Sequence, residues 1–143
     1  MTTTDGAAPI KTEGLTKHYW DVKALVGLDL EVHPGEVFGF LGPNGAGKTT
    51  TIRSLLHFLF PTAGTATVLG LDVATHAVEV RSRVAYVPSE YSMYPKLTGA
   101  ENLAYLANLR GGVDRAYVNP LPERLDVDLS RKVSALAPGD RQT

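Results

Sequence analysis

Residues 42–50 have the sequence Gly42-Pro43-Asn44-Gly45-Ala46-Gly47-Lys48-Thr49-Thr50, and the architecture of the chain can be worked out from them. They fit Gly-x-x-x-x-Gly-Lys-Ser/Thr, a loop whose backbone amides surround phosphate oxygens. The apolar run 37–41 before the loop predicts a short buried strand. Apolar residues at 52, 55, 56 and 59 after it have helical spacing, and Pro61 is expected to end that helix. A strand, a glycine loop and a helix in this order form the context in which such a loop binds phosphate.

The residue types of this loop suit the phosphates of a nucleotide. Gly42, Gly45 and Gly47 permit unusual backbone turns, so that the amides from Gly45 to Thr49 can converge on one anion. Lys48 is expected to reach the β- and γ-phosphates, and the Thr49 hydroxyl to ligate Mg²⁺. A strand–helix turn that binds nothing is the alternative, but such a turn requires neither Lys48 nor Thr49 at these positions.

The composition excludes several classes of protein. The chain has 143 residues, 43% hydrophobic and 20% charged, which predicts one small globular domain. A formal net charge of −1 argues against a nucleic-acid partner. No cysteine is present for a disulfide or thiolate metal site, and no apolar run is long enough for a direct membrane span. The segment 1–8 lacks the features of a secretion signal, so we expect a cytoplasmic location.

In the N-terminal half, the sequence predicts several short strands and a second helix. Strands are predicted at 10–15 and 25–32, and the turn His33-Pro34-Gly35-Glu36 leads into the strand 37–41, so that 25–41 is expected to form a hairpin. Further elements are a turn at 61–64, a strand at 65–69, a helix at 75–83 and a strand at 84–87 that Pro88 ends.

In the C-terminal half, the sequence predicts one well-defined helix and weaker helical segments after it. Thr98 and Glu101 have capping-box spacing and are predicted to open a helix that ends at Gly111-Gly112. Beyond Asp114 the pattern weakens, because Pro120 and Pro122 interrupt what would otherwise be a helix to Leu125. One or two further helical turns are expected within 130–136.

From about Ile10 to Gln142 these motifs resemble the nucleotide-binding subunit of an ABC transporter. The segment 15–19 resembles the aromatic loop of that family, which makes Tyr19 the residue implied to stack on the adenine of ATP. Trp20 is the second candidate for stacking. The alternative for Tyr19 is a surface aromatic residue that packs on the hairpin.

Residues 83–90 and 93–103 resemble the family's glutamine loop and the helix after it. Ser89 stands where the family usually has glutamine, which makes it a second candidate ligand for Mg²⁺, although its side chain is shorter and has no amide. The sequence of this segment is similar to that of ATP-binding subunits from drug or antibiotic exporters. Tyr91, Met93 and Tyr94 form either a docking surface for a transmembrane partner or a packed loop under the helix.

The segment 136–142 resembles the family signature Leu-Ser-x-Gly-x-x-Gln. Gly139, Arg141 and Gln142 match, whereas Ala137 replaces a serine whose hydroxyl, in the family, bonds the γ-phosphate held by the opposite subunit. The family's next elements are an apolar strand ending in Asp-Glu and a switch histidine. No such strand follows here, and the four histidines all precede position 89. The chain is therefore expected to be a nucleotide-binding domain truncated at its signature.

The resemblance implies an α/β fold of the P-loop NTPase class, with an ABC ATPase-like core, an N-terminal antiparallel β hairpin and a partial helical subdomain, the C-terminal part being missing. The expected organisation is a disordered lead at 1–9 and one nucleotide-binding domain at 10–143. Within that domain, 10–87 would form the ATP core, and 88–143 the glutamine-loop region and helical subdomain.

The implied function is that of an ATP-binding subunit for transmembrane export, with ATP and Mg²⁺ as ligands. Its implied partners are a transmembrane permease and a second ATP-binding subunit, at the inner face of the cell membrane. The alternative is a nucleotide-binding remnant or interaction module without turnover, because no general base is evident. A GTPase or kinase built on the same loop fits the downstream motifs less well.

Overall fold

A computed structural model describes residues 7–88 and 93–135 of the chain. The chain divides into two compact units, Met1–Ala85 and Tyr86–Thr143. The elements of the first unit are β1 (Ile10–Tyr19), β2 (Val22–Val32), α1 (Lys48–Leu55), β3 (Ala63–Val68), β4 (Leu71–Asp72) and α2 (Ala77–Arg83). Those of the second are α3 (Gly99–Leu109), α4 (Arg115–Val118), α5 (Leu121–Arg124) and a 3₁₀ turn at Val133–Ala135. No helix in the described ranges has the length and apolar character required to cross a bilayer.

The first unit is built on a four-stranded antiparallel sheet with the order β2-β1-β3-β4. In β2, Leu28 and Leu30 are partly buried and Val32 is buried, whereas Asp29 and Glu31 are exposed, which confirms the predicted alternation. The hairpin of β1 and β2 turns at Trp20 and Asp21, so the fold does have an N-terminal antiparallel hairpin. Trp20 has a left-handed φ of 53° and is 97% exposed at the tip.

A core of aliphatic side chains joins this sheet to α1 and α2. Its buried members are Leu15, Leu25, Leu55, Ala66, Val68, Val73 and Val80. Because Leu55 lies in the last turn of α1 and Leu25 lies in β2, the helix that follows the glycine loop is fastened to the sheet by apolar packing. The core therefore fixes the loop relative to the first hairpin.

Four predictions about residues 25–87 are wrong. The hairpin at 25–41 does not form, because β2 pairs with β1. Residues 37–41 and 84–87 are not assigned to any strand of the described chain; Val37 is fully exposed and Leu41 is 91% exposed. Helix α1 ends at Leu55 instead of at Pro61, because His57 has a left-handed φ of 53° and its Nδ1 lies 2.5 Å from the Val73 carbonyl oxygen.

The second unit confirms the predicted capping box. The Glu101 amide donates to Thr98 Oγ1 at 3.2 Å, and Glu101 Oε2 accepts from the Thr98 amide at 2.8 Å. The buried Asn102 side chain accepts from the Tyr94 amide at 2.9 Å and donates to the Tyr94 carbonyl at 3.1 Å, which ties the start of α3 to the preceding loop. The weak pattern after Asp114 corresponds to the two four-residue helices α4 and α5.

Candidate nucleotide-binding site

The glycine loop is shaped by two residues with left-handed backbones. Gly45 has a φ of 84° and Gly47 a φ of 82°, which L-residues rarely adopt. The Ala46 amide donates to the Pro43 carbonyl at 3.2 Å and closes a tight turn within the loop. This conformation leads directly into α1, for which Gly47 is the N-cap residue.

The N-terminus of α1 presents unused backbone donors. The first intrahelical bond is from the Thr51 amide to the Gly47 carbonyl at 2.8 Å, so the amides of Lys48, Thr49 and Thr50 lie ahead of the helical ladder. No side chain caps this helix end, and its first turn carries no acidic residue. Donors of this kind, together with the helix dipole, favour an anion at this position.

The Lys48 side chain is held back over its own loop. Its Nζ donates to the Gly42 carbonyl and to the Pro43 carbonyl, the second at 2.7 Å. An ammonium has three N–H donors, so one is left for a ligand after these two bonds. The carbonyl contacts also set the position of the positive charge before any phosphate arrives.

The end of the loop lies directly against β2. A Cβ atom placed on Gly47 would be 2.6 Å from the Ala24 carbonyl oxygen and 3.5 Å from Leu25 Cδ1. Only glycine fits such a close approach without a shift of one of the two backbones. Gly45, by contrast, has open space around the same position.

A surface depression of about 370 Å³ lies between the loop and the first hairpin. It is lined by Val22, Lys23, Ala24, Asn44, Gly45, Ala46, Gly47, Lys48, Thr49 and Thr50. Two of these residues are lysines and none is acidic, so the depression suits a negatively charged ligand. Gly42 and Pro43 are outside the lining but contact it through Lys48.

The sequence did not indicate that Val22, Lys23 and Ala24 would line this depression. These residues belong to β2, and they reach the loop only because the sheet and α1 share one core. No local motif encodes such a long-range approach. The strand β2 also begins at Val22, whereas the sequence predicted a start at Leu25, so these three residues were not expected to belong to the strand.

Tyr19, the residue implied to stack on adenine, ends β1 and pairs with Val22 across the hairpin. It does not line the depression itself, but its strand partner does. Its side chain is partly open to solvent, with Lys17 Nζ at 5.1 Å from the ring centroid. Trp20, the second candidate for stacking, projects at the hairpin tip.

The remaining predicted site residues lie in or near the second unit. Ser89 and Tyr91 fall outside the described residues, as does the signature-like segment 136–142. Tyr94 packs edge-to-face on Tyr105 of α3, with ring centroids 5.1 Å apart. The Tyr94 and Tyr105 hydroxyls lie 3.4 Å apart, and the hydrogen bond between them, together with the charge of an ionised Tyr94, raises the pKa of Tyr105.

Comparison with known proteins identifies the family of the chain. Residues 25–143 match the ABC transporter family. The chain belongs to that family. The resemblance expected from the sequence is thereby confirmed, and the two solved structures reported below confirm the P-loop NTPase fold class.

Two curated ATP-binding proteins, named for drug resistance and for antibiotic transport, are similar to this chain. The chain is 48% identical over 102 residues to the daunorubicin/doxorubicin resistance ATP-binding protein DrrA of Streptomyces peucetius, covering 71% of this chain and 31% of that protein. It is 40% identical over 109 residues to the bacitracin transport ATP-binding protein BcrA of Enterococcus faecalis, covering 76% of this chain and 35% of that protein.

A solved structure described as the ATP binding subunit of an ABC transporter superimposes with a TM-score of 0.77 at 28% identity, covering 93% of this chain and 57% of that one. A putative ABC transporter ATP-binding protein from Pyrococcus furiosus gives a TM-score of 0.73 at 26% identity, covering 90% of this chain and 62% of that one. The chain thus spans about a third of the two named relatives and about three fifths of these two structures.

Proposed function

We propose that this chain binds ATP with Mg²⁺ at residues 42–50 and forms the ATP-binding part of an exporter. The observation that carries the proposal is the convergence of unused donors at one place. The uncapped amides at the start of α1 and the third N–H of Lys48 border the same acid-free depression. A triphosphate supplies the anionic oxygens that such an array requires.

Each residue of the loop has a distinct role in the proposal. Gly45 and Gly47 turn the backbone so that the amides up to Thr50 face the phosphates. Lys48 binds the β- and γ-phosphates while the Gly42 and Pro43 carbonyls hold its ammonium. The Thr49 hydroxyl, exposed at the depression, is the proposed protein ligand of Mg²⁺. The metal neutralises charge on the phosphates when it is bound.

The adenine base is proposed to stack on Tyr19, at the end of the hairpin whose second strand lines the depression. An aromatic ring can bury one face of a purine without fixing its hydrogen-bonding edge. The stacking is supported by the pairing of Tyr19 with Val22.

The wider role is proposed from the relatives. Proteins named for drug resistance and for bacitracin transport suggest that this chain couples ATP binding to export through a transmembrane permease at the inner face of the membrane. A second ATP-binding subunit is part of the same proposal. Ser89, as a further Mg²⁺ contact, also stays a proposal.

Calorimetric titration of the chain with ATP and Mg²⁺ tests the site. Lys48→Ala should lower the affinity at least tenfold, because a hydrogen bond between charged groups contributes about 1.5–3 kcal/mol. Lys132→Ala, in the second unit, removes the same charge outside residues 42–50 and should leave binding unchanged. Absence of binding by the folded wild-type chain at millimolar ATP would refute the proposal.

A further inference from the structure

Lys17 of β1 has two contacts that the loop motif does not explain. Its Nζ donates to the Phe60 carbonyl at 2.7 Å and lies 5.1 Å from the centroid of the Tyr19 ring. One ammonium therefore binds both the segment that follows α1 and the aromatic residue at the end of β1. The contact with the ring is within the range of a cation–π interaction.

The segment that contains Phe60 is attached to β1 by further hydrogen bonds. On either side of Lys17, the Thr16 carbonyl accepts from the Thr62 amide at 2.8 Å and the His18 amide donates to Thr62 Oγ1 at 3.0 Å. The Phe60 ring also packs edge-to-face on His57, with centroids 4.7 Å apart. The segment 60–62 is thus fixed against β1, and the position of the Lys17 ammonium follows from that attachment.

We infer that Lys17 is a positioning residue for the purine base of a bound nucleoside triphosphate. Its ammonium fixes the Tyr19 ring by one face, so that the other face is already oriented when the base stacks on it. A preorganised ring loses less side-chain freedom on binding than a free one. The inference rests on the proposed function, because it takes Tyr19 as the residue that stacks on the base.

Calorimetric titration of the full chain with Mg²⁺ and either ATP or inorganic tripolyphosphate tests this role. Tripolyphosphate has the phosphate chain without the base. Lys17→Met should weaken ATP binding about two- to fivefold, the equivalent of an exposed cation–π contact, and leave tripolyphosphate binding unchanged. Lys17→Arg should restore ATP binding, because a guanidinium also stacks on aromatic rings. In a Tyr19→Ala background, Lys17→Met should have no further effect.

Lys11→Met is the matched control. Lys11 lies near the other end of β1 and is paired with Glu13 at 2.7 Å, so its substitution removes the same charge from the same strand. Lys11→Met should change neither the affinity for ATP nor the affinity for tripolyphosphate. If Lys17→Met does not fold, Lys17→Gln, which retains an N–H donor for the Phe60 carbonyl, takes its place.

Three outcomes would overturn the inference. Equal weakening of ATP and tripolyphosphate by Lys17→Met would mean that Lys17 acts on the phosphates. A lower melting temperature with both affinities unchanged would mean that Lys17 only links β1 to Phe60. Failure of the wild-type chain to bind either ligand would refute the proposed function and this inference with it, whereas the first two outcomes leave ATP binding at the loop intact.

Discussion

Two glycines of the phosphate loop share one backbone conformation but differ in their surroundings. Gly45→Ala has open space for its Cβ, so only the left-handed φ of 84° opposes it, at a cost of about 1–2 kcal/mol. Gly47→Ala adds a contact of 2.6 Å with the Ala24 carbonyl oxygen. We therefore expect Gly47→Ala to lower the free energy of unfolding by clearly more than Gly45→Ala.

Urea denaturation of the two variants, followed by circular dichroism, measures this difference. Gly47→Ala should also displace the start of α1 and reduce ATP affinity more strongly. Equal destabilisation by both variants would show that the approach of Gly47 to β2 does not constrain the loop.

The site illustrates what a sequence can specify at the scale of residues. The residue types at 42–50 were enough to predict the loop and the helix that begins at Lys48, because both depend on local chemistry. The approach of Ala24 to Gly47 was not predictable, since it joins segments that only the common core brings together. The contact between Lys17 and the Phe60 carbonyl has the same long-range origin.

Helix α3 depends on the reciprocal cap formed by Thr98 and Glu101. Thr98→Ala leaves the Glu101 amide without its acceptor and should cost about 0.5–2 kcal/mol of stability. Asp114→Ala, at the N-cap of the four-residue helix α4, is a control at an element with less structure to lose. Amide hydrogen exchange should show faster exchange along α3 in Thr98→Ala, and unchanged exchange there would contradict the prediction.

The same cap predicts a pH dependence of stability. Hydrogen bonds from the Thr98 amide and hydroxyl lower the pKa of Glu101 below its ordinary value of 4.5. Because the folded-state pKa is the lower one, this stabilisation is complete above about pH 4.5 and is lost as the pH falls through the folded-state pKa.

Melting temperatures measured from pH 7 to pH 3 test whether stability falls on acidification as this pKa shift predicts. Glu101→Gln should show a smaller loss of stability on acidification than the wild type. Asp72 and Asp128, whose pKa values are also lowered by hydrogen bonds from Thr75 and Ser130 respectively, keep their contributions in this variant. An identical pH profile for both proteins would refute the assignment to Glu101.

At the scale of elements, signals encoded within a few residues were predicted correctly, whereas the partners of the strands were not. The capping box and the alternation of β2 are encoded within a few residues, and both were predicted. The apolar run at 37–41 also satisfied the pattern of a buried strand, but a strand requires a partner, and the hydrogen bonds of β2 are directed to β1 instead. The domain boundaries at 9 and 87 stay predictions.

At the scale of the whole molecule, the exposed run at 37–41 is expected to make the 143-residue chain associate with itself. Val37 and Leu41 are almost fully exposed, and apolar extended segments pair readily with other chains. Size-exclusion chromatography should show oligomers or aggregates, and thermal unfolding should be broad unless ATP and Mg²⁺ are present.

Val37→Thr combined with Leu41→Gln should shift the chain towards monomer. Val78→Thr is the control, because Val78 is also an exposed apolar residue but lies on α2. It should leave the oligomeric state unchanged. A sharp cooperative transition from a monodisperse wild-type monomer would contradict the prediction.

The exposed Trp20 at the hairpin tip gives this chain a built-in optical probe. It is the only tryptophan in the sequence, and its indole is already 97% exposed in the folded state. Unfolding should therefore barely move its fluorescence emission. A base that binds against the indole, the second candidate for stacking, would shield it and shift the emission to shorter wavelength. Fluorescence then follows ligand binding at the hairpin while far-ultraviolet circular dichroism follows folding, so that the two equilibria can be measured separately in one sample.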